Sequence, residues 1–133
     1  MLRNLIIVVI GVFPLQPVFA DVLDRATSSF SHELAECAAF SLLGAEAVGR
    51  NGNEQLKGSL NESALLASKL SINLSSEKVF KARVGMAVDE QKKIIGNDFS
   101  NISLLLQKYK DVCREAVRNP KTRFNYWVNK SRH

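Results

Sequence analysis

The chain has 133 residues, of which 46% are hydrophobic and 23% charged, with 18 Lys+Arg against 13 Asp+Glu. That is material for one domain, with a core modest enough to need reinforcement. Two histidines and two cysteines set 76 positions apart exclude a metal cluster, a covalent haem motif and a paired-thiol redox motif.

The first twenty residues read as a cleaved secretory leader. Arg3 gives a short positive head. Leu5 to Phe13 is an unbroken apolar run of nine, Pro14 and Pro17 are expected to break any helix, and Val18-Phe19-Ala20 offers small residues before a cut. A spanning helix needs about 20 apolar residues. The expected division is therefore a signal peptide over 1–20 and a single helical domain over 21–133, exported and, in a Gram-negative bacterium, periplasmic. No membrane span is expected in the remainder.

The first helix is predicted over about Ser28 to Val48, with Ser28, Ser29 or Ser31 as cap and Glu33 in the first turn. Phe30, Leu34, Cys37, Ser41, Ala45 and Val48 recur at helical steps. Gly49 to Asn53 supplies a stop and a turn. A second helix covers about Glu54 to Leu70, weakened by Gly58 and ordered from Asn61 at the latest, with Ser71 to Ser75 as a connection. Ser75 or Ser76 caps a third to about Ile95, burying Phe80, Val84, Ala87, Gln91 and Ile94. A fourth carries Phe99, Ile102, Leu106, Tyr109, Cys113 and Ala116 on one face and ends at Asn119-Pro120. Pro120 opens a short last helix with Phe124, Trp127 and Val128 on one side, leaving Tyr126 exposed. No alternating run reads as a strand.

The fold class is thus all-α, an antiparallel four-helix bundle with a short C-terminal helix. Cys37 lies six residues inside Ser31, and Cys113 six residues inside Asn119. At 1.5 Å per residue both stand about 9 Å from one end of the bundle. A disulfide between the first and fourth helices follows, closing a loop worth about 4.5 kcal/mol by chain entropy.

Little chemistry is legible. His32 with Met86 as haem ligands would rest on residue type alone; an exposed histidine and a core methionine account for them. Asp89-Glu90 do not share a helix face, and Glu33 with Glu36 suits the first turn of a helix. No enzyme activity and no cofactor are expected. Four Asn-x-Ser triplets begin at Asn61, Asn73, Asn101 and Asn129. They are a mild excess for an Asn- and Ser-rich chain, and Asn101 is expected inside a packed helix, so a bacterial source is favoured over a glycosylating one.

Charge is the one asymmetry. Asp21 to Cys113 is nearly neutral, whereas Arg114 to His133 holds six basic residues and one acid. Arg118, Lys121, Arg123, Tyr126 and Lys130 are the candidate partner contacts. The expected function is a protein-interaction or accessory factor, such as an immunity or inhibitor-type binder, whose partner is another protein. The alternative is a module that binds anionic lipid or an envelope polymer through the same segment. Nucleic acid is not expected as a partner.

Overall fold

The computed structural model describes residues 16–133. The leader's positive head and apolar run lie outside the described residues. Among those described there are five α-helices and no strand: α1 (Gln16–Arg50), α2 (Glu54–Leu74), α3 (Glu77–Ile94), α4 (Ser103–Arg118) and α5 (Pro120–Ser131), with a 3-10 turn at Phe99–Asn101 before α4. They form the expected helical bundle, joined by the Cys37–Cys113 disulfide.

The organising element is α1. Its 35 residues give about 52 Å of helix, and every other helix packs on it. It starts twelve residues before the predicted cap. Pro17 falls in its first turn, where a missing N–H costs nothing, so that proline does not break the helix. Ser28 and Ser31 are interior residues and not caps. Their hydroxyls have tertiary partners: Arg83 of α3 donates to Ser31 Oγ at 2.9 Å and to Ser28 Oγ at 3.1 Å, and Ser71 Oγ of α2 donates to the Ser31 carbonyl at 2.8 Å. A buried serine that answers another across a helix pair fixes register, because sliding by one residue would orphan both.

These contacts set the directions. α2 runs antiparallel to α1, with Ser31 opposite Ser71 and Gly44 opposite Leu60. α3 runs parallel to α1: Arg83 meets Ser28, and Gln91 Nε2 donates to the Glu36 carbonyl at 2.9 Å. The side-chain oxygen of this buried Gln91 has no protein partner. α4 returns antiparallel, with Cys37 bonded to Cys113 and the Phe40 ring 5.9 Å from Tyr109. α5 continues that direction along the N-terminal half of α1, where Phe30 lies 6.2 Å from Phe124. Thus α4 and α5 act as one rod hinged at Asn119-Pro120, and the rod follows α1 almost end to end.

Small residues make this possible. Ala26, Ala35, Ala38, Ala39, Ala45 and Ala47 of α1 are buried, as are Ala64 and Ala67 of α2, Ala87 of α3 and Ala116 of α4. Short side chains let four neighbours approach one central helix. The larger core groups, Phe30, Leu34, Phe40, Leu43, Ile95, Leu105 and Tyr109, fill the spaces between.

Several boundaries move. α2 begins at Glu54, capped by Asn53, and runs on through the predicted connection to Leu74. Ser76 caps α3 as expected. Gly96 and Asn97 take positive φ to end α3, and Asp98 caps the 3-10 turn through Ser100. The buried face of α4 differs by one residue: Leu105 is fully buried, whereas Leu106 is 41% exposed. The disulfide ruler also changes meaning. Ser31 stands level with Asn119, so the two cysteines do match in height, but the bundle does not end there. α1 extends a further fifteen residues, and α5 covers that extension.

Candidate functional site

The C-terminal segment is built on a buried ion pair. Glu33 lies on the same α1 face as Phe30 and Cys37, is buried, and points at α5. Arg123 Nε donates to Glu33 Oε2 at 2.9 Å, its Nη2 donates to Oε1, and Trp127 Nε1 donates to Oε2 at 2.8 Å. One carboxylate therefore accepts a guanidinium fork and an indole at once, the arrangement that satisfies a carboxylate withdrawn from water. These hydrogen bonds hold the Arg123 guanidinium more firmly protonated than usual, despite its partial burial. Tyr126 lies over the other side of Arg123, with its ring centre 4.0 Å from the guanidinium carbon. At the far end, Arg25 Nη2 donates to the Ser131 carbonyl at 2.8 Å.

The five candidate contacts therefore fall into three groups. Arg123 is an internal anchor, committed to Glu33. Arg118 closes α4 and Lys121 follows Pro120 in the first turn of α5, and both side chains are exposed. Tyr126 is 42% exposed and Lys130 is exposed on the same flank of α5, with the ammonium 4.9 Å from the Trp127 ring centre and 5.8 Å from that of Tyr126. Trp127 and Lys130 line an open groove of roughly 360 Å³ with Arg25, Ser28, Ser29 and Ser131. A second open groove, of roughly 460 Å³, lies between α1 and α2 around Leu42, Glu46, Lys57 and Asn61.

Sequence reasoning missed Glu33 as the anchor because it placed that residue in a first helical turn. The signal was present: Phe30, Glu33, Cys37 and Phe40 follow steps of three, four and three, so the glutamate shares the core stripe. Of the exposed cations of α4 it took only Arg118 as a partner contact and left out Lys110 and Arg114. Lys110, Arg114 and Arg118 are spaced four apart on the side away from the core.

The remaining ionisable cluster sits between α1, α3 and α4. His32 Nε2 is 3.6 Å from Glu36 Oε1. Burial pushes the Glu36 carboxyl above its ordinary value, opposed by His32 and assisted by Glu90. Burial also raises the Tyr109 phenol, with Glu36 adding to it. His32 is an exposed mid-helix residue, and Met86, expected in the core, is 67% exposed. Among the described residues no group of three His, Cys, Asp or Glu side chains could hold a metal ion, and no cysteine is free. All four triplet asparagines are exposed, Asn101 included; its side-chain amide donates to the Ile95 carbonyl at 3.1 Å.

Compared with models of known protein families, with curated proteins and with solved structures, the chain matches none of them.

Proposed function

We propose that this is an exported binding protein that acts by holding another protein, in the manner of an immunity or inhibitor-type factor, through the outer surface of α4 and α5. The carrying observation is a contrast within those two helices. Their inner faces are fixed to α1 by the disulfide and by the Glu33–Arg123–Trp127 contact. Their outer faces hold cations with no carboxylate partner: among the described residues, none of Arg114, Arg118, Lys121 and Lys130 is in an ion pair. Rigid backing with unpaired charge in front lowers the ordering cost of association and steers an acidic partner.

Export is part of the proposal. The disulfide suits an oxidising compartment, and no helix of the described residues is long and apolar enough to cross a membrane. Removal of a leader after Ala20 would take away no side chain that is buried among the described residues: there Val18, Phe19 and Ala20 are exposed and burial begins at Val22.

The test is retention of a specific protein from a periplasmic extract by the immobilised, disulfide-bonded protein, repeated with Arg118→Glu and Lys121→Glu. Loss of one band on charge reversal supports the proposal; no retained protein at all rejects it. The second reading, an anionic lipid or polymer module, is favoured by Tyr126 exposed beside Lys130, an aromatic with a cation of the kind found at membrane interfaces. It predicts salt-sensitive sedimentation with anionic vesicles and none with neutral ones.

A further inference from the structure

Among the five α-helices, α5 alone has no buried residue. What lies beneath it is buried. Val22, Ala26, Phe30 and Glu33 of α1 follow steps of four, four and three, so they share one stripe, and α5 lies along it through Phe124, Arg123 and Trp127. The join to α4 is slight. Asn119 is its whole length, at φ −128° and ψ 61°, and its side chain does not cap α5. Pro120 has no N–H, and among the described residues no backbone hydrogen bond runs from α5 into α4. Rotation about that one ψ, toward the extended range open to a residue before proline, carries α5 off as a rigid rod. Six residues earlier Cys113 is tied to Cys37, so opening stops at Asn119 and leaves α4 in place. The bared stripe would then hold an exposed Phe30 and an unanswered Glu33 carboxylate. The structure already shows what satisfies it: a helix with an arginine and a tryptophan four apart and a phenylalanine beside them.

We propose that this stripe of α1 is also the interface to a second copy of the chain, entered by exchange of α5. Each copy's α5 leaves its own α1 and lies on the other's, with Arg123 and Trp127 of one copy on Glu33 of the other. The inference goes beyond the binding reading above and does not depend on it, since the outer surface of α4 and α5 faces solvent in both forms. A second copy is the occupant because exchange restores every contact that α5 makes with α1 and closes as a symmetric pair, at the cost of the hinge and of association alone. Within one chain the tether holds α5 near its seat at an effective concentration of about millimolar. The closed monomer therefore prevails in dilute solution, and the exchanged pair gains ground as the chain approaches that concentration.

The test exploits the charge of the lock. Glu33→Arg sets two guanidinium groups face to face within one chain, and Arg123→Glu sets two carboxylates. Exchange between the two variants gives both seats an opposite charge: the Glu33→Arg seat takes the other chain's altered α5, and its own unaltered α5 takes the other chain's unaltered seat. The disulfide-bonded variants are mixed in mild urea, dialysed and weighed by native mass spectrometry, with Trp127 emission followed alongside. A heterodimer is expected, at a concentration at least about tenfold below that at which the parent dimerises, because self-docking is penalised in both variants. Its emission should return to the parent's wavelength, while each variant alone stays monomeric with red-shifted emission. A mixture that remains monomeric while both variants keep their helical signal overturns the proposal. Homodimers as abundant as the heterodimer overturn it too, since they would mark association elsewhere on the surface. If either variant fails to fold, the parent decides. Dialysed from mild urea with its 15N-labelled form at about 1 mM, it should give a dimer of mixed mass that separates slowly on dilution. A parent that stays wholly monomeric there, or a dimer that separates at once, overturns the proposal equally.

Discussion

Replacing Glu33 with alanine removes the acceptor for both Arg123 and Trp127. Charge-assisted hydrogen bonds contribute about 1.5–3 kcal/mol each, and breaking a buried pair by deleting one partner costs about 3–5 kcal/mol. Arg123 sits at the edge of α5 and can turn partly to water, so the cost falls at or just below that range, about 2–3 kcal/mol. With an unfolding entropy of about 2.1 cal/mol/K per residue, a domain of this size loses about 4 °C per kcal/mol, or about 10 °C in Tm. The loss is local first, because α5 has no fully buried residue and depends on this contact. Trp127 is the only tryptophan in the chain, so its emission should shift to the red before the helical signal at 222 nm falls. Glu33→Gln, which keeps an acceptor oxygen, should cost about half as much. A double-mutant cycle with Arg123→Met should return a coupling of about 2 kcal/mol. A Tm shift below about 2 °C for Glu33→Ala with unchanged Trp127 emission would refute the claim that this carboxylate fastens α5.

Leu105→Ala should destabilise by about 3–4 kcal/mol and Leu106→Ala by less than about 1 kcal/mol, read from urea midpoints; equal costs would contradict the observed phase of α4. Cys37→Ala with Cys113→Ala should lower stability by up to about 4.5 kcal/mol, a large share of what a small domain possesses, measured by the same titration. Burial raises the Glu36 carboxyl, so in the folded protein its charged form is the disfavoured one. Glu36→Gln should therefore melt slightly above the parent at pH 7–8. That difference should close as pH falls through the folded carboxyl's titration and vanish below the unfolded value; a gap that widens toward acid would reverse the assignment. The hydroxyl and amide of Ser100 lower the Asp98 carboxyl. Asp98→Ala should accordingly lower Tm at neutral pH, with the deficit fading as acid protonates the parent's cap.

What was legible in the sequence was mostly what periodicity governs. The two cysteines, Gln91 on the inner face of α3, the Ser76 cap and the Pro120 start all follow from spacing or local chemistry. The face of α4 was misphased because Phe99 to Asn101 is a 3-10 turn. Its three-residue step carries the buried row through Phe99, Ile102 and Leu105, whereas a four-residue step from Ile102 lands on Leu106. The start of α1 was misplaced because serines favour caps in isolation, whereas here Ser28 and Ser31 are satisfied by Arg83 and Ser71, residues forty and more positions away. The role of Glu33 depended on the same misplaced start. Among the candidate contacts, local composition could not separate Arg123 from Arg118 and Lys121, because only the fold shows which cation has a carboxylate within reach.

The first helix of this protein is finished by the last. Arg25 reaches Ser131 across 106 positions and Glu33 reaches Arg123 across 90, so during synthesis α2 and α3 can cover their sides of the alanine-lined mast, but the side that α5 covers stays bare until nearly the whole polypeptide has emerged. A chain so arranged cannot lock into shape from its leading end, and it is at its stickiest while still incomplete. For a polypeptide that must be threaded through a translocation pore before it folds, that delay keeps the strand passable; for one overproduced where no pore takes it up, the same delay invites clumping.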